Sequence, residues 1–99
     1  MTIEKQGQGQ QLTLILTGRL DTMTAPELEK TFAESLTNIT ELTLDFKNLT
    51  YVSSAGLRVL LGAQKCMNTQ GRMSVVHVCD EIMDVFNITG FCEILTIQP

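Results

Sequence analysis

The chain is poor in the residues that mark several common functions. Only five of its 99 residues are aromatic, and the seven basic residues are scattered under a net charge of −4. A surface for nucleic acid needs clustered Lys and Arg, with rings for unpaired bases. Neither is present, so no direct contact with nucleic acid is expected. The longest strongly apolar stretches are strand-length, against about 20 residues for a membrane-spanning helix, so no membrane insertion is expected either. Met1 to Gln10 is polar and acidic and lacks the apolar centre of a secretory signal, which points to a cytoplasmic protein. Cys66, Cys79 and Cys92 form no Cys-x-x-Cys pair, so metal-ligand spacing is absent. They are expected to be reduced thiols that act as small buried or half-buried apolar side chains. The single histidine, His77, lies in a β-prone run and is expected to be a hydrogen-bonded structural residue.

What is present suits one ordinary domain over residues 1–99. Hydrophobic residues make up 43% and charged residues 18%, which fits a folded chain with one core. No repeat or low-complexity block interrupts it. Thr2 to Lys5 and Gln11 to Thr17 flank the polar turn Gln6–Gln10, and Leu12, Leu14 and Leu16 alternate with polar residues. These runs predict an opening β-hairpin. Thr24-Ala25-Pro26-Glu27 predicts a helix start with a capping box. Leu28, Phe32 and Leu36 form its apolar stripe, and it should end near Asn38. Leu42, Leu44 and Phe46 predict a third strand, with Lys47 to Val52 continuing irregularly. A helix from about Ala55 to Gln70 follows, with Leu57, Leu60, Leu61 and Gln64 along one side and Gly71 as its stop. Met73 to Val78 predicts a strand, Asp80 the cap of a third helix, Gly90 its break, and Ile94 to Ile97 a last strand. The fold class expected is α/β: a mixed, mostly parallel sheet of four to five strands with an N-terminal β-hairpin and about three helices.

One segment carries chemistry, Tyr51-Val52-Ser53-Ser54-Ala55-Gly56-Leu57, which joins a strand to a helix start. The first four N–H groups of a helix lack intrahelical acceptors. Ser53 or Ser54 can therefore be a plain N-cap. A nucleophile elbow is a second reading, since Ser54-x-Gly56 is half of Gly-x-Ser-x-Gly. It fails because Val52 stands where the first glycine belongs and His77 has no clear orienting acid. A third reading is a phosphorylation switch, because a helix N-terminus receives a phosphate well.

The segment Asp45-Phe46-Lys47-Asn48-Leu49-Thr50-Tyr51-Val52-Ser53-Ser54-Ala55-Gly56-Leu57-Arg58-Val59-Leu60-Leu61 resembles the signature of the STAS domain. Gly18-Arg19-Leu20-Asp21, with Thr24-Ala25-Pro26-Glu27-Leu28, resembles an earlier motif of that family, and the element order matches over nearly the whole chain. The resemblance implies an anti-sigma factor antagonist, a binding protein with no catalytic residues, metal or cofactor of its own. Its implied partner is an anti-sigma factor of the histidine-kinase-like serine kinase type, which brings its own ATP and magnesium. The unphosphorylated antagonist binds that partner and frees a sigma factor. Phosphorylation of one serine ends the complex, and a PP2C-type phosphatase restores it. Mapped here, the modified serine is Ser54, and the implied partner-binding residues are Asp21, Ser53, Ser54, Gly56, Leu57 and Arg58. Gly56 is expected at an exposed helix mouth where a partner approaches closely. Ser53 stands where the family often has Asp, and Ala55 where it has Ser or Thr. The alternative is a STAS subunit of a larger assembly, transporter-associated or stressosome-like, without serine switching.

Overall fold

Alternation of apolar and polar residues builds the sheet. In the computed structural model, which describes residues 1–98, Leu14 and Leu16 are fully buried while Thr13 and Ile15 are only half-buried. The same pattern runs through Leu42, Thr43 and Leu44, and through Met73, Ser74 and Val75. One sheet face is therefore packed and the other is largely polar and half-open, as a period of two requires. Pro99, the last residue of the expected single domain, lies outside the described residues.

The elements are β1 (Thr2–Gln8), β2 (Gln11–Leu20), α1 (Ala25–Ser35), β3 (Glu41–Val52), α2 (Ser54–Gln70), β4 (Arg72–Val76), α3 (Asp80–Thr89) and β5 (Ile97–Gln98), with a short 3-10 turn at Phe91–Glu93. The strands lie in the order β1-β2-β3-β4-β5. The first pair is antiparallel and the others are parallel. Each parallel step crosses through a helix, and right-handed crossovers in an unreversed order put all three helices on one face. There Leu28 and Phe32 of α1, Leu57, Leu60 and Met67 of α2, and Ile82 and Phe86 of α3 meet the leucines of the sheet. The Phe46 and Phe86 rings pack at 6.5 Å between centroids. Each such side chain contributes about 1.5–3 kcal/mol when fully buried.

The expected fold class holds, with five strands. Several boundaries and caps differ from expectation. Lys47 to Val52 does continue irregularly, but as strand: β3 runs on to Val52 and stays paired with β2 through register shifts at Ile15/Thr17 and Gly18/Arg19. Such bulges let a strand carry an extra residue without losing its partner. The last strand is shorter and later than Ile94–Ile97, because the turn begun at Phe91–Glu93 runs on through Ile94 and Leu95, whose N–H groups both donate to the Phe91 carbonyl.

Helix α1 ends at Ser35 rather than near Asn38, and the Gln70 side-chain amide donates to the carbonyls of Leu36 and Ile39, both at 2.6 Å. The end of α2 thus satisfies carbonyls beyond the end of α1. Thr24 makes no capping bond, and α3 is capped by the backbone of Cys79, with Asp80 inside its first turn. The expectation for the cysteines is corrected in part: all three are free thiols and Cys79 is half-buried, as expected, but Cys66 and Cys92 are exposed. Among the described residues no helix is long and apolar enough to cross a membrane.

Candidate functional site

The carboxyl ends of β2 and β3 lie side by side, with Leu20 opposite Val52. The Ser53 N–H donates to the Leu20 carbonyl at 2.9 Å, which extends the ladder by one bond. The chain then turns into α2. Ser53 is the N-cap, with extended backbone (φ −92°, ψ 174°), and its Oγ accepts from the Gly56 N–H at 3.3 Å. The Ser53 carbonyl accepts from the Leu57 N–H at 2.9 Å. Of the first four helical N–H groups, those of Gly56 and Leu57 are thereby used. Those of Ser54 and Ala55 have no acceptor within the helix. Ser54 itself is exposed at the first helical position. The two adjacent serines thus divide the work: Ser53 caps, and Ser54 presents a hydroxyl to solvent.

Gly56 does not sit at an exposed mouth. It is buried, and a Cβ built there would lie 2.7 Å from Leu20 Cγ and 3.1 Å from the Leu20 carbonyl oxygen. Its missing side chain lets α2 lie against the end of β2, so the expected approach of a partner to this atom is corrected. Leu57 is likewise core, only 6% exposed. Arg58 is exposed, one turn beyond Ser54. Of the residues expected to form one surface, Ser54 and Arg58 present side chains outward. Ser53 and Asp21 are half-exposed, and Gly56 and Leu57 position the helix from beneath.

Asp21 opens the loop that follows β2, next to Leu20, and backbone hydrogen bonds hold its carboxylate. Its Oδ1 accepts from the backbone N–H groups of Met23 (3.0 Å) and Thr24 (3.1 Å). The Thr24 hydroxyl accepts from the Asp21 N–H and donates to the Arg19 carbonyl, both at 2.8 Å. This knot uses the hydroxyl that would otherwise have capped α1. The Thr24 N–H, then that of Met23, hold the Asp21 carboxyl below the ordinary carboxylate value, and Arg19 helps from 3.8 Å. Partial desolvation opposes them and loses. The Arg19 guanidinium also stacks on the Tyr51 ring at 4.2 Å. These contacts lie at the solvent-screened surface, so they orient the side chains more than they stabilise the fold. Met23, 85% exposed, completes the rim.

Sequence reasoning placed Arg19 and Tyr51 inside the quoted motifs without giving them a role, and it passed over Met23. Their signal was there: Arg19 alternates with buried Leu20, so it had to face outward.

His77 is hydrogen-bonded, as expected, but it does have an orienting acid. Its Nδ1 lies 3.0 Å from Oδ1 of Asp45, which also accepts from the Lys47 N–H at 3.0 Å. His77 stands just beyond β4 in the left-handed region (φ 57°). Burial pushes the Asp45 carboxyl up, but the Lys47 N–H and the imidazole pull it down further, so it lies below the usual value. Asp45 is mid-strand, seven residues before Val52. At about 3.3 Å per residue the pair is some 20 Å from Ser54, too far to form a triad with it. The unreversed strand order also leaves no switch-point crevice, where open α/β sheets bind small ligands. What the geometry offers is an exposed surface of loop and helix start. Among the described residues no group of three or more His, Cys, Asp or Glu is placed to hold a metal ion.

Comparison with known proteins agrees with this architecture. The family model described as Mlab, STAS domain, matches residues 3–96. The anti-sigma-B factor antagonist of Staphylococcus aureus is 27% identical over 100 residues, spanning 99% of this chain and 93% of that protein. BtrV of Bordetella bronchiseptica, named provisionally as an anti-sigma factor antagonist, is 33% identical over 88 residues, spanning 87% of this chain and 76% of that one. Among solved structures, the phosphorylated form of the Bacillus cell fate determinant SpoIIAA superposes with a TM-score of 0.75 at 16% identity, covering 99% of this chain and 92% of that one. Motif, strand order and family match converge, and the chain belongs to the STAS domain family.

Proposed function

We propose that this protein is an anti-sigma factor antagonist switched by phosphorylation of Ser54. In its unmodified form it binds an anti-sigma factor of the histidine-kinase-like serine kinase type, and a sigma factor is released. The kinase transfers phosphate to Ser54, the complex separates, and a PP2C-type phosphatase restores the binding form. The chain supplies a surface and an acceptor hydroxyl; it has no reaction of its own, and generic ester substrates should not turn over. It works in the cytoplasm, where its partners act.

The observation that carries this reading is the division of labour between the serines. Because Ser53 already caps α2, Ser54 is exposed and can be modified without uncapping the helix. The N–H groups of Ser54 and Ala55 and the positive end of the helix dipole favour a phosphate there. The fold need not move. Phosphate adds about −1.5 to −2 charge, on the surface that also carries the Asp21 carboxylate. An interface closed over Ser54 would then face a concentrated negative patch, and like-charge juxtaposition costs several kcal/mol. Two curated relatives carry antagonist names, and a structural neighbour is known in a phosphorylated form. Asp21, Ser53 and Arg58 frame the contact, with Gly56 and Leu57 as its support.

The test is reaction with the kinase and ATP, followed by phosphopeptide mapping and titration calorimetry. Modification is expected at Ser54, and modification confined to Ser53 would overturn the assignment. Ser54→Ala should bind and stay bound in ATP, whereas Ser54→Asp should bind more weakly than Ala. Ser53 in place of the family's frequent Asp favours a second reading, a constitutive subunit of a larger assembly. Equal affinities for Ser, Ala and Asp at position 54 would select it.

A further inference from the structure

Helix α2 exposes one unbroken ridge at spacing four: Ser54, Arg58, Gly62 and Cys66 are all exposed, while Leu60, Ala63, Gln64 and Met67 beside them are buried. An i, i+4 row winds slowly around a helix. This one starts at the proposed switch serine and ends facing α1. Where it meets α1 the two helices enclose a groove of about 210 Å³. Phe32, Leu36 and Val59 form its apolar walls. Ala33 and Gly62 leave it unfilled, and Glu29 and Arg58 stand on its rim.

Gly62 is the telling residue. Glycine inside a helix costs about 1 kcal/mol relative to alanine. At Gly56 close packing explains that cost, but at Gly62 a Cβ would meet nothing within 4 Å. The internal packing of the domain therefore has no use for the missing side chain. The groove is smaller than the roughly 300–1,000 Å³ of small-molecule sites, but it can receive an apolar side chain of a protein partner.

We infer that this groove is a second anchor point for the same protein partner that closes over Ser54. It takes an apolar side chain of that partner, which also places a basic group against Glu29 and an acidic group against Arg58. The inference rests on the switch reading above, because continuity with the Ser54 surface names the occupant. Cys66 lies about 18 Å from Ser54 along the helix at 1.5 Å per residue. A standard interface covers about 800 Å² per partner, a patch roughly 30 Å across. One partner can therefore reach both points. The arrangement places binding strength in the groove and its control at Ser54.

The experiment uses the full chain and a purified serine-kinase anti-sigma factor from the same organism as probe. Gly62→Leu extends into the groove from a position where an added Cβ meets nothing, and it replaces a poor helix former. It should melt no lower than the parent, accept phosphate more slowly, and bind at least tenfold more weakly. Ala33→Leu, from the opposite wall, should do the same. Lys65→Leu, exposed on α2 but outside the groove, should bind as the parent does. Bound partner should also slow maleimide alkylation of Cys66 at least tenfold, while Cys92 continues to react. If Ser54→Asp weakens binding and both groove-filling variants bind normally, the groove inference is overturned and the switch reading stands. If Gly62→Leu weakens binding while Ser54→Asp does not, the groove is an anchor but Ser54 is not its control, and the inference as stated falls with the switch. If no such kinase binds the unmodified chain, both fall.

Discussion

Gly56 and Gly62 lie on the same helix and teach opposite lessons. Gly56 is buried against Leu20, where a single added carbon has no room. Gly62 is exposed over open space, where an added Cβ meets nothing within 4 Å. The first glycine serves the fold, because it sets how closely α2 approaches the end of β2 and so where Ser54 stands. The second has no structural duty. A glycine near a functional serine is easily read as clearance for a partner. Here the one nearest the serine is clearance for the protein's own strand, and the more distant one is left to face outward.

The largest expected effect breaks the comparison at its buried end. Gly56→Leu forces a side chain onto Leu20, and overpacking of this kind costs about 1–3 kcal/mol or more. For a domain of this size that lowers the melting temperature by roughly 5–20 °C. Thermal melts monitored by circular dichroism decide it. A parental melt would mean that the first turn of α2 can move away from β2 and that Gly56 does not fix Ser54.

Next in size is the pair on the opposite sheet face. His77→Ala removes one partner of the nearly buried Asp45 carboxylate, which keeps the Lys47 N–H, and a lost hydrogen bond of that kind costs about 0.5–1.5 kcal/mol. It also leaves a Cβ at a positive φ. His77→Gly removes the same contact but relieves the backbone, so it should be more stable than the Ala variant by roughly 1 kcal/mol. Equal stabilities would show that the left-handed turn carries no strain. The Asp45 contribution also has a definite pH dependence. Its carboxyl lies below the ordinary carboxylate value in the folded state. The stabilisation is therefore fully present above the unfolded value and is lost as pH falls through the folded one. Urea melts of the parent and Asp45→Asn from pH 7 down to pH 3 should converge at the acid end.

A smaller effect separates the serines. Ser53→Ala removes the cap of α2 and should cost about 1 kcal/mol. Ser54→Ala, at an exposed surface position, should change stability by no more than about 0.5 kcal/mol. Equal losses in urea titration would mean that both hydroxyls share the cap. The smallest effect has the opposite sign. Gly62→Ala should raise stability by about 0.5–1 kcal/mol, since it gains helix propensity and meets nothing. A loss there would reveal a packing role that the open space argues against.

The amino-acid sequence alone was enough for the alternation of strands and helices, the sense of the sheet, and the strand-to-helix segment that bears Ser53 and Ser54. These follow from local periodicity, from glycine stops and from a motif, all of which are written in neighbouring residues. It did not reveal which serine would cap, because Ser53 and Ser54 are chemically equal until the ladder bond to Leu20 sets the backbone. Nor could it separate Gly56 from Gly62, since a glycine's purpose depends on what stands opposite. That neighbour is 36 residues away for Gly56 and absent for Gly62. Thr24 looked like a cap and became part of the Asp21 knot, because the loop offered its hydroxyl nearer partners. His77 found Asp45 only when β4 paired with β3 in the observed register. Periodicity is a property of the chain; close approach is a property of the packed elements, and only the tertiary structure decides it.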